Sequence, residues 1–321
     1  MNTPPTIRRQ AEQYLEHRRS LGFKLKIEGQ QLLNFAEYAD DSGHQGPLTV
    51  DLAVRWARLP VRASRLYQAR RLEVVRCFAR YLAIFDPKTE IPPTGLLGRA
   101  HHRGAPYIYS PAQIGQLLDA AMQLRPTDRL RPTTYATLFG LLACTGLRIS
   151  EALQLRHEDA DLHRGVLRIS QTKFRKSRLV PLHPSTARVL RRYKRHRDEH
   201  ASIESTASFF LGSSGRPLPY STVRTTFRGI CSRLGWVATP ATRAPRIHDL
   251  RHTFAVRRLL LWYEQGFDMG HAVAALSTYM GHGKVSDTYW YLTGTPELMA
   301  VAGRSFERFA AAGAEEGGDH E

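Results

Sequence analysis

The chain has 321 residues, about two domains' worth, and 42% of them are hydrophobic, which excludes wholesale disorder. Forty-six Lys and Arg against 29 Asp and Glu leave a net charge of +17, and 39 of the 46 cations are arginine. Such a balance points to an anionic partner, and the forked, planar guanidinium suits phosphate oxygens. No run approaches 18 apolar residues, which argues against a membrane span. The polar N-terminus lacks the apolar core of a signal peptide. Cys77, Cys144 and Cys231 are too scattered for a disulfide framework or a paired zinc motif, so a reducing cytoplasm is the expected location.

The first 86 residues read as four helices. Thr6 to Ser20 is the first, stopped by Gly22, and Lys26 to Asp40 the second. Thr49 is placed to cap a short third helix carrying Leu52, Ala53 and Trp56. Ser64 is placed to cap a fourth, in which Leu66, Leu72, Val75, Phe78, Leu82 and Phe85 recur at helical spacing. Arg62, Arg65, Arg70, Arg71, Arg76 and Arg80 fall on its other side, either as a DNA-binding face or as a solvated one. Residues 87–106, rich in Pro and Gly and containing His101-His102-Arg103-Gly104, read as a basic linker.

The second domain, 107–312, opens with Ser110-Pro111 as N-cap and first-turn proline. A long apolar helix follows around Tyr135 to Thr145, then a short one over Ser150 to Leu155. Val166 to Ile169 and Leu179 to Pro181 form a hairpin around a basic turn, Phe174 to Ser177. Further helices are expected over Ser185–Glu199, Ser221–Leu234, His248–Trp262, Met269–Met280 and Thr295–Phe309. The acidic, Gly-rich residues 313–321 read as a disordered tail. The segment Arg188 to Arg197 holds six cations in ten residues: Arg188, Arg191, Arg192, Lys194, Arg195 and Arg197. It is suited to tracking phosphates, with a solvated surface as the alternative.

Five islands carry the chemistry: Cys144-Thr-Gly-Leu-Arg148-Ile-Ser-Glu151; Thr172-Lys173-Phe-Arg-Lys-Ser-Arg-Leu-Val-Pro181; His248-Asp-Leu-Arg251-His252; Gly281-His282; and Asp287-Thr-Tyr289-Trp-Tyr291. In this order they resemble the tyrosine recombinases, a family of phage integrases, Xer-type resolvases and related transposases, across nearly all of residues 5–310. That family's signature runs arginine, lysine, His-x-x-Arg, Gly-His, then tyrosine nine residues after that histidine. Arg148, Lys173, His248 with Arg251, His282 and Tyr291 fill every place, and Glu151 falls where the family carries a supporting carboxylate.

The resemblance implies a mainly α fold with a small sheet: a helical, SAM-like core-binding domain and a catalytic domain of the DNA breaking-rejoining type, closing on duplex DNA as a C-shaped clamp. It implies site-specific cutting and rejoining through a 3′-phosphotyrosyl link. The expected partners are double-stranded recombination sites and a homotetramer on synapsed DNA, with accessory recombination proteins, and no metal or nucleotide cofactor.

The residue types suit that chemistry on their own. Two guanidiniums match the added negative charge of a pentacoordinate phosphorus, each worth roughly 100- to 1000-fold in rate. A phenol with pKa near 10 gains from a neighbouring base, a part open to His248, which can also orient the phosphate. The leaving 5′-oxygen needs a proton, for which Lys173 is the family's acid and Lys176 its rival. Arg175 and Arg178, on the same hairpin, are candidates for phosphate contact. His282 is expected to donate to the phosphate, and Glu151 to hold an arginine or histidine.

Tyr289 competes with Tyr291 as nucleophile. His248 and His252, at i and i+4, have the spacing of a zinc pair, although Asp249 and Arg251 speak against a metal. His252 itself is expected near the phosphate or in packing. Three other functions stay open at this point: a catalytically silent DNA-binding regulator with the same fold, a metal-dependent nuclease, and a relaxed topoisomerase-like enzyme. The residues do not separate integrase, resolvase and transposase roles, although no arm-binding domain is visible ahead of residue 6, which favours an Xer-like or transposase-like member.

Overall fold

A computed structural model describes residues 6–100, 105–126, 130–170, 177–200, 207–239 and 243–294. The chain divides into two compact units, Met1–Gly104 and Ala105–Glu321. No described helix is long and apolar enough to cross a membrane.

The first unit is built from α1 (Ile7–Ser20), α2 (Lys26–Asp41), α3 (Val50–Arg58) and α4 (Arg65–Leu82). Thr6, Thr49 and Ser64 cap α1, α3 and α4, each hydroxyl accepting from the backbone N–H three residues on. Leu32, Phe35, Trp56, Leu72, Val75 and Phe78 close the core between the helices. Phe85, read as part of the α4 stripe, lies past the helix end and is 70% exposed.

The arginine face of α4 is smaller than its sequence suggests. Arg76 is buried and bonds Glu73 and the carbonyls of Pro92 and Pro93, and Arg71 lies over the Trp56 ring while donating to the Trp56 carbonyl. An arginine can bury its stem and cation wherever carbonyls and an aromatic face replace water. Those two arginines are taken up by contacts within the unit. The Pro-rich stretch that follows is tied back to it, Glu90 donating to the Leu48 carbonyl and accepting from the Val50 N–H.

The second unit begins with α5 (Pro111–Met122), where Ser110 and Gln113 form a reciprocal capping box. The following α6 (Leu130–Thr145) is apolar on nearly every side and forms the centre of the unit, with α5, α8 (Pro184–His200) and α10 (Ile247–Glu264) packed around it. A single turn, α7 (Ile149–Leu153), leads to an antiparallel sheet of β1 (Ala160–Asp161), β2 (Val166–Ile169) and β3 (Arg178–Pro181), in that order. Leu167 pairs with Val180, and both lie in the core, while their neighbour Arg168 points outward to Asp159.

The remaining helices are α9 (Tyr220–Arg233), α11 (Met269–Met280) and α12 (Ser286–Gly294). Residues 171–176, which include Lys173, Arg175 and Lys176, lie outside the described residues, as do the expected helix Thr295–Phe309 and the tail 313–321.

On α8 the cations divide by face. Arg197 is buried and bonds His157 and the carbonyls of Ser208 and Phe209, and Arg191 donates to the Leu162 carbonyl. Arg188, Arg192, Lys194 and Arg195 are left on the surface.

Candidate active site

The end of α11 organises the site. Its last turn closes through Gly281, in left-handed geometry at φ +67°, and the His282 N–H returns to the Ser277 carbonyl. The final carbonyls of a helix lack intrahelical donors and carry its negative dipole end, so they attract cations. Three arginines answer. Arg178 Nε donates to the Tyr279 carbonyl at 2.8 Å, Arg251 Nη2 to Met280 at 2.8 Å, and Arg148 Nη2 to Gly281 at 3.0 Å. Arg251 is also anchored at 2.6 Å to the carbonyl of Gly146, the residue that ends α6.

One carboxylate lies among these cations. Glu151, on α7, accepts from Arg148 Nη1 at 2.8 Å and the Arg148 N–H at 2.9 Å, and from both terminal nitrogens of Arg178 at 3.1 and 2.8 Å. Burial pushes its carboxyl upward, but the bonds from Arg178 and Arg148 win and hold it down at about 2. Burial, with the Arg148 guanidinium beside it, pulls Arg251 down to about 10 against the opposing influence of Tyr291 and Glu151. Three guanidiniums facing one carboxylate leave a surplus of positive charge. A diester phosphate would neutralise part of it.

The His-x-x-Arg box is positioned by Asp249, whose place in the sequence speaks only against a zinc pair. Asp249, fully buried, accepts two bonds from Arg243 at 2.9 and 2.7 Å and one from the Arg246 N–H at 2.7 Å. A carboxylate at the third position of a helix satisfies otherwise unpaired N–H groups, which fixes the rotation of α10. That rotation buries Arg251 and leaves His248 at the exposed start of the helix, where the surrounding protein and the Arg251 charge hold its imidazole below the usual range. The sequence signal for Asp249 was an acidic residue in a first helical turn.

Tyr291, on α12, is 2% exposed and its hydroxyl lies 3.0 Å from Nδ1 of His252. The Tyr291 ring is nearly parallel to that of His282 at 6.4 Å and meets Trp290 edge-on. His282 Nδ1 lies 2.6 Å from the hydroxyl of buried Thr288. Tyr289 is 49% exposed. The structure therefore brings together Arg148, Glu151, Arg251, His252, His282 and Tyr291, with Arg178 as a member assigned only a general phosphate role from sequence. Lys173 belongs to the undescribed stretch 171–176.

His248 and His252 pack ring edge to ring face at 4.6 Å. Among the described residues the grouping that resembles a three-ligand metal site is elsewhere, at His196, Glu199 and His200 on the surface of α8.

Residues 109–297 match the phage integrase family. The chain belongs to that family. The tyrosine recombinase fold is shared with solved structures: the Tn1549 transposon integrase in complex with transposon right end DNA (TM-score 0.70, 18% identity, 95% of this chain and 100% of that one) and the XerH recombinase bound to palindromic difH substrate (0.66, 18%, 94% and 85%). Among sequence relatives, y4rB of Sinorhizobium fredii, a candidate integrase/recombinase by name, is 44% identical over 94% of this chain and 98% of its own length. The tyrosine recombinase XerD of Xanthomonas axonopodis pv. citri is 30% identical over 88% of each. This is a tyrosine recombinase by family, and the relatives give no support to the silent alternative.

Proposed function

We propose that this recombinase cuts and rejoins duplex DNA at specific sites, with Tyr291 as its nucleophile. The phenolic oxygen attacks a phosphodiester phosphorus, forming a 3′-phosphotyrosyl bond as the bond to the 5′-oxygen breaks. Lys173 gives that oxygen its proton. A 5′-hydroxyl from another strand then reverses the chemistry, so the diester energy is kept and no nucleotide is consumed. Arg148 and Arg251 grip the non-bridging oxygens, His282 and His248 add donors to them, and Glu151 fixes Arg148.

The observation that carries this reading is the sealed Tyr291 hydroxyl in a cluster with arginines already aimed by backbone carbonyls. Pre-aimed donors need little reorganisation as charge develops. Arg58, Arg65 and Arg99 in the first unit, and Arg188, Arg192 and Arg195 on α8, line shallow surface grooves suited to the flanking backbone. The active form is a homotetramer on two synapsed sites, aided by accessory proteins and working in the cytoplasm.

Nicked suicide duplexes drawn from the DNA flanking the gene test the reaction, because loss of the short 5′ strand traps the link. Wild type and Tyr289→Phe are expected to form a covalent adduct and Tyr291→Phe none. An adduct retained by Tyr291→Phe and lost in Tyr289→Phe overturns the assignment of the nucleophile, and none in wild type overturns the function.

A further inference from the structure

The nucleophile needs a proton acceptor, and the histidine box offers two imidazoles one helical turn apart. His252 is the one whose Nδ1 faces the Tyr291 hydroxyl, at 3.0 Å. Its ring is wedged between His248, edge-on at 4.6 Å, and the aromatic pair Trp290 and Tyr291 at 5.6 and 5.5 Å. Such packing fixes the ring plane and therefore the direction of its nitrogen lone pair. Tyr291 is sealed from solvent at 2% exposure, so bulk water has little access to its proton. We infer that His252, rather than His248, accepts the phenolic proton of Tyr291 during strand cleavage.

This inference rests on the assignment of Tyr291 as nucleophile. In the cleavage step the Tyr291 O–H gives its proton to His252 Nδ1 while its oxygen bonds to phosphorus. The bond from phosphorus to the 5′-oxygen breaks, and that oxygen takes a proton from Lys173. On rejoining, the imidazolium returns its proton to the departing phenolate. His248, at the exposed start of α10, is left to contact the phosphate.

The charged and titratable groups facing His252 are His248, Asp249, Arg246 and Arg251 from α10 and its entry, Tyr291 from α12, and His282 beyond the Tyr291 ring. Burial, and next the neighbouring His248, hold its imidazole at about 3, so before DNA binds it is neutral at pH 7 but a weak base. A bound diester brings negative charge that stabilises the imidazolium, so basicity rises when substrate arrives.

The test is single-turnover adduct formation on a suicide duplex whose scissile 5′-oxygen is replaced by sulfur. A thiolate leaves without protonation, so the pH profile reports the nucleophile without Lys173. Wild type, Tyr291→Phe, His252→Ala, His252→Asn and His248→Ala are compared from pH 6.5 to 9.5. His252→Asn places an amide near the Nδ1 position, restoring a hydrogen bond but not a base.

Both His252 variants are expected to cleave about 100-fold or more slowly at pH 7 and to gain roughly tenfold per pH unit as the phenol itself approaches ionisation. The His248→Ala deficit is expected to persist at every pH. The inference is overturned by full rescue in His252→Asn, by a His252→Ala deficit that ignores pH, by faster cleavage in His252→Ala, or by pH recovery in His248→Ala instead. A wild type without adduct, or an adduct in Tyr291→Phe, strikes down the underlying nucleophile assignment and this inference with it.

Discussion

Arg178 reaches back 27 residues to place both terminal nitrogens on the Glu151 carboxylate, at 3.1 and 2.8 Å. Through this contact the end of the hairpin is held against the α7 turn that presents Arg148. Removing the carboxylate leaves two guanidiniums crowded with no counter-charge. Glu151→Ala is therefore expected to lower stability by about 3–5 kcal/mol, read by chemical denaturation.

The same carboxylate gives a pH signature. Its pKa in the folded chain is about 2, below an ordinary glutamate, so ionised Glu151 favours the folded state. The contribution, about 3 kcal/mol, is complete above the unfolded pKa of roughly 4.3 and is lost as pH falls toward 2. Denaturation midpoints of wild type and Glu151→Gln are expected to differ most near neutrality and to converge below pH 3.

Gly146 and Gly281 end α6 and α11 at φ +62° and +67°. A Cβ at Gly146 would come within 2.4 Å of the Phe254 ring, and one at Gly281 within 2.7 Å of Arg178 Nη1. Phe254 is packed in the core and cannot yield cheaply, whereas the Arg178 head is the end of a flexible chain. Gly146→Ala is expected to cost about 2 kcal/mol or more and to lower the melting temperature by about 4–8 °C. Gly281→Ala is expected to lower both the melting temperature and cleavage activity, since the added Cβ pushes the Arg178 head away from Glu151.

Arg251→Lys keeps the charge but not the fork that spans the Gly146 and Met280 carbonyls. Adduct formation is expected to fall roughly 100- to 1000-fold, while affinity for duplex DNA in gel-shift assays changes little.

Arg188, Arg192 and Arg195 are surface residues of α8. Each one replaced by alanine is expected to reduce the slope of log affinity against log salt by about 1, equally on specific and unrelated duplexes. Chelation of divalent ions is expected to leave cleavage unchanged, because guanidiniums supply the neutralising charge.

Local signals were legible in the sequence. Thr6, Thr49, Ser64 and Ser110 announce helix starts because a capping hydroxyl acts within three residues, and Gly281 announces an end because few other residues adopt its backbone angles. What depended on distant partners was hidden. Arg71, Arg76 and Arg197 fit an exposed basic face by spacing, yet they turn inward onto an aromatic ring and carbonyls supplied by other turns of the fold. The helix α12 went unread because Asp287 to Tyr291 lacks a helical apolar period. The pairing of His252 with Tyr291 crosses 39 residues, and helical spacing alone could not show which of two histidines would face the phenol.

The carbonyls of Tyr279, Met280 and Gly281 are consecutive, and each holds a different arginine. A displacement of that one peptide stretch acts on Arg178, Arg251 and Arg148 together, against their second anchors at Glu151 and Gly146. The close of α11 is the one contact that all three guanidiniums share.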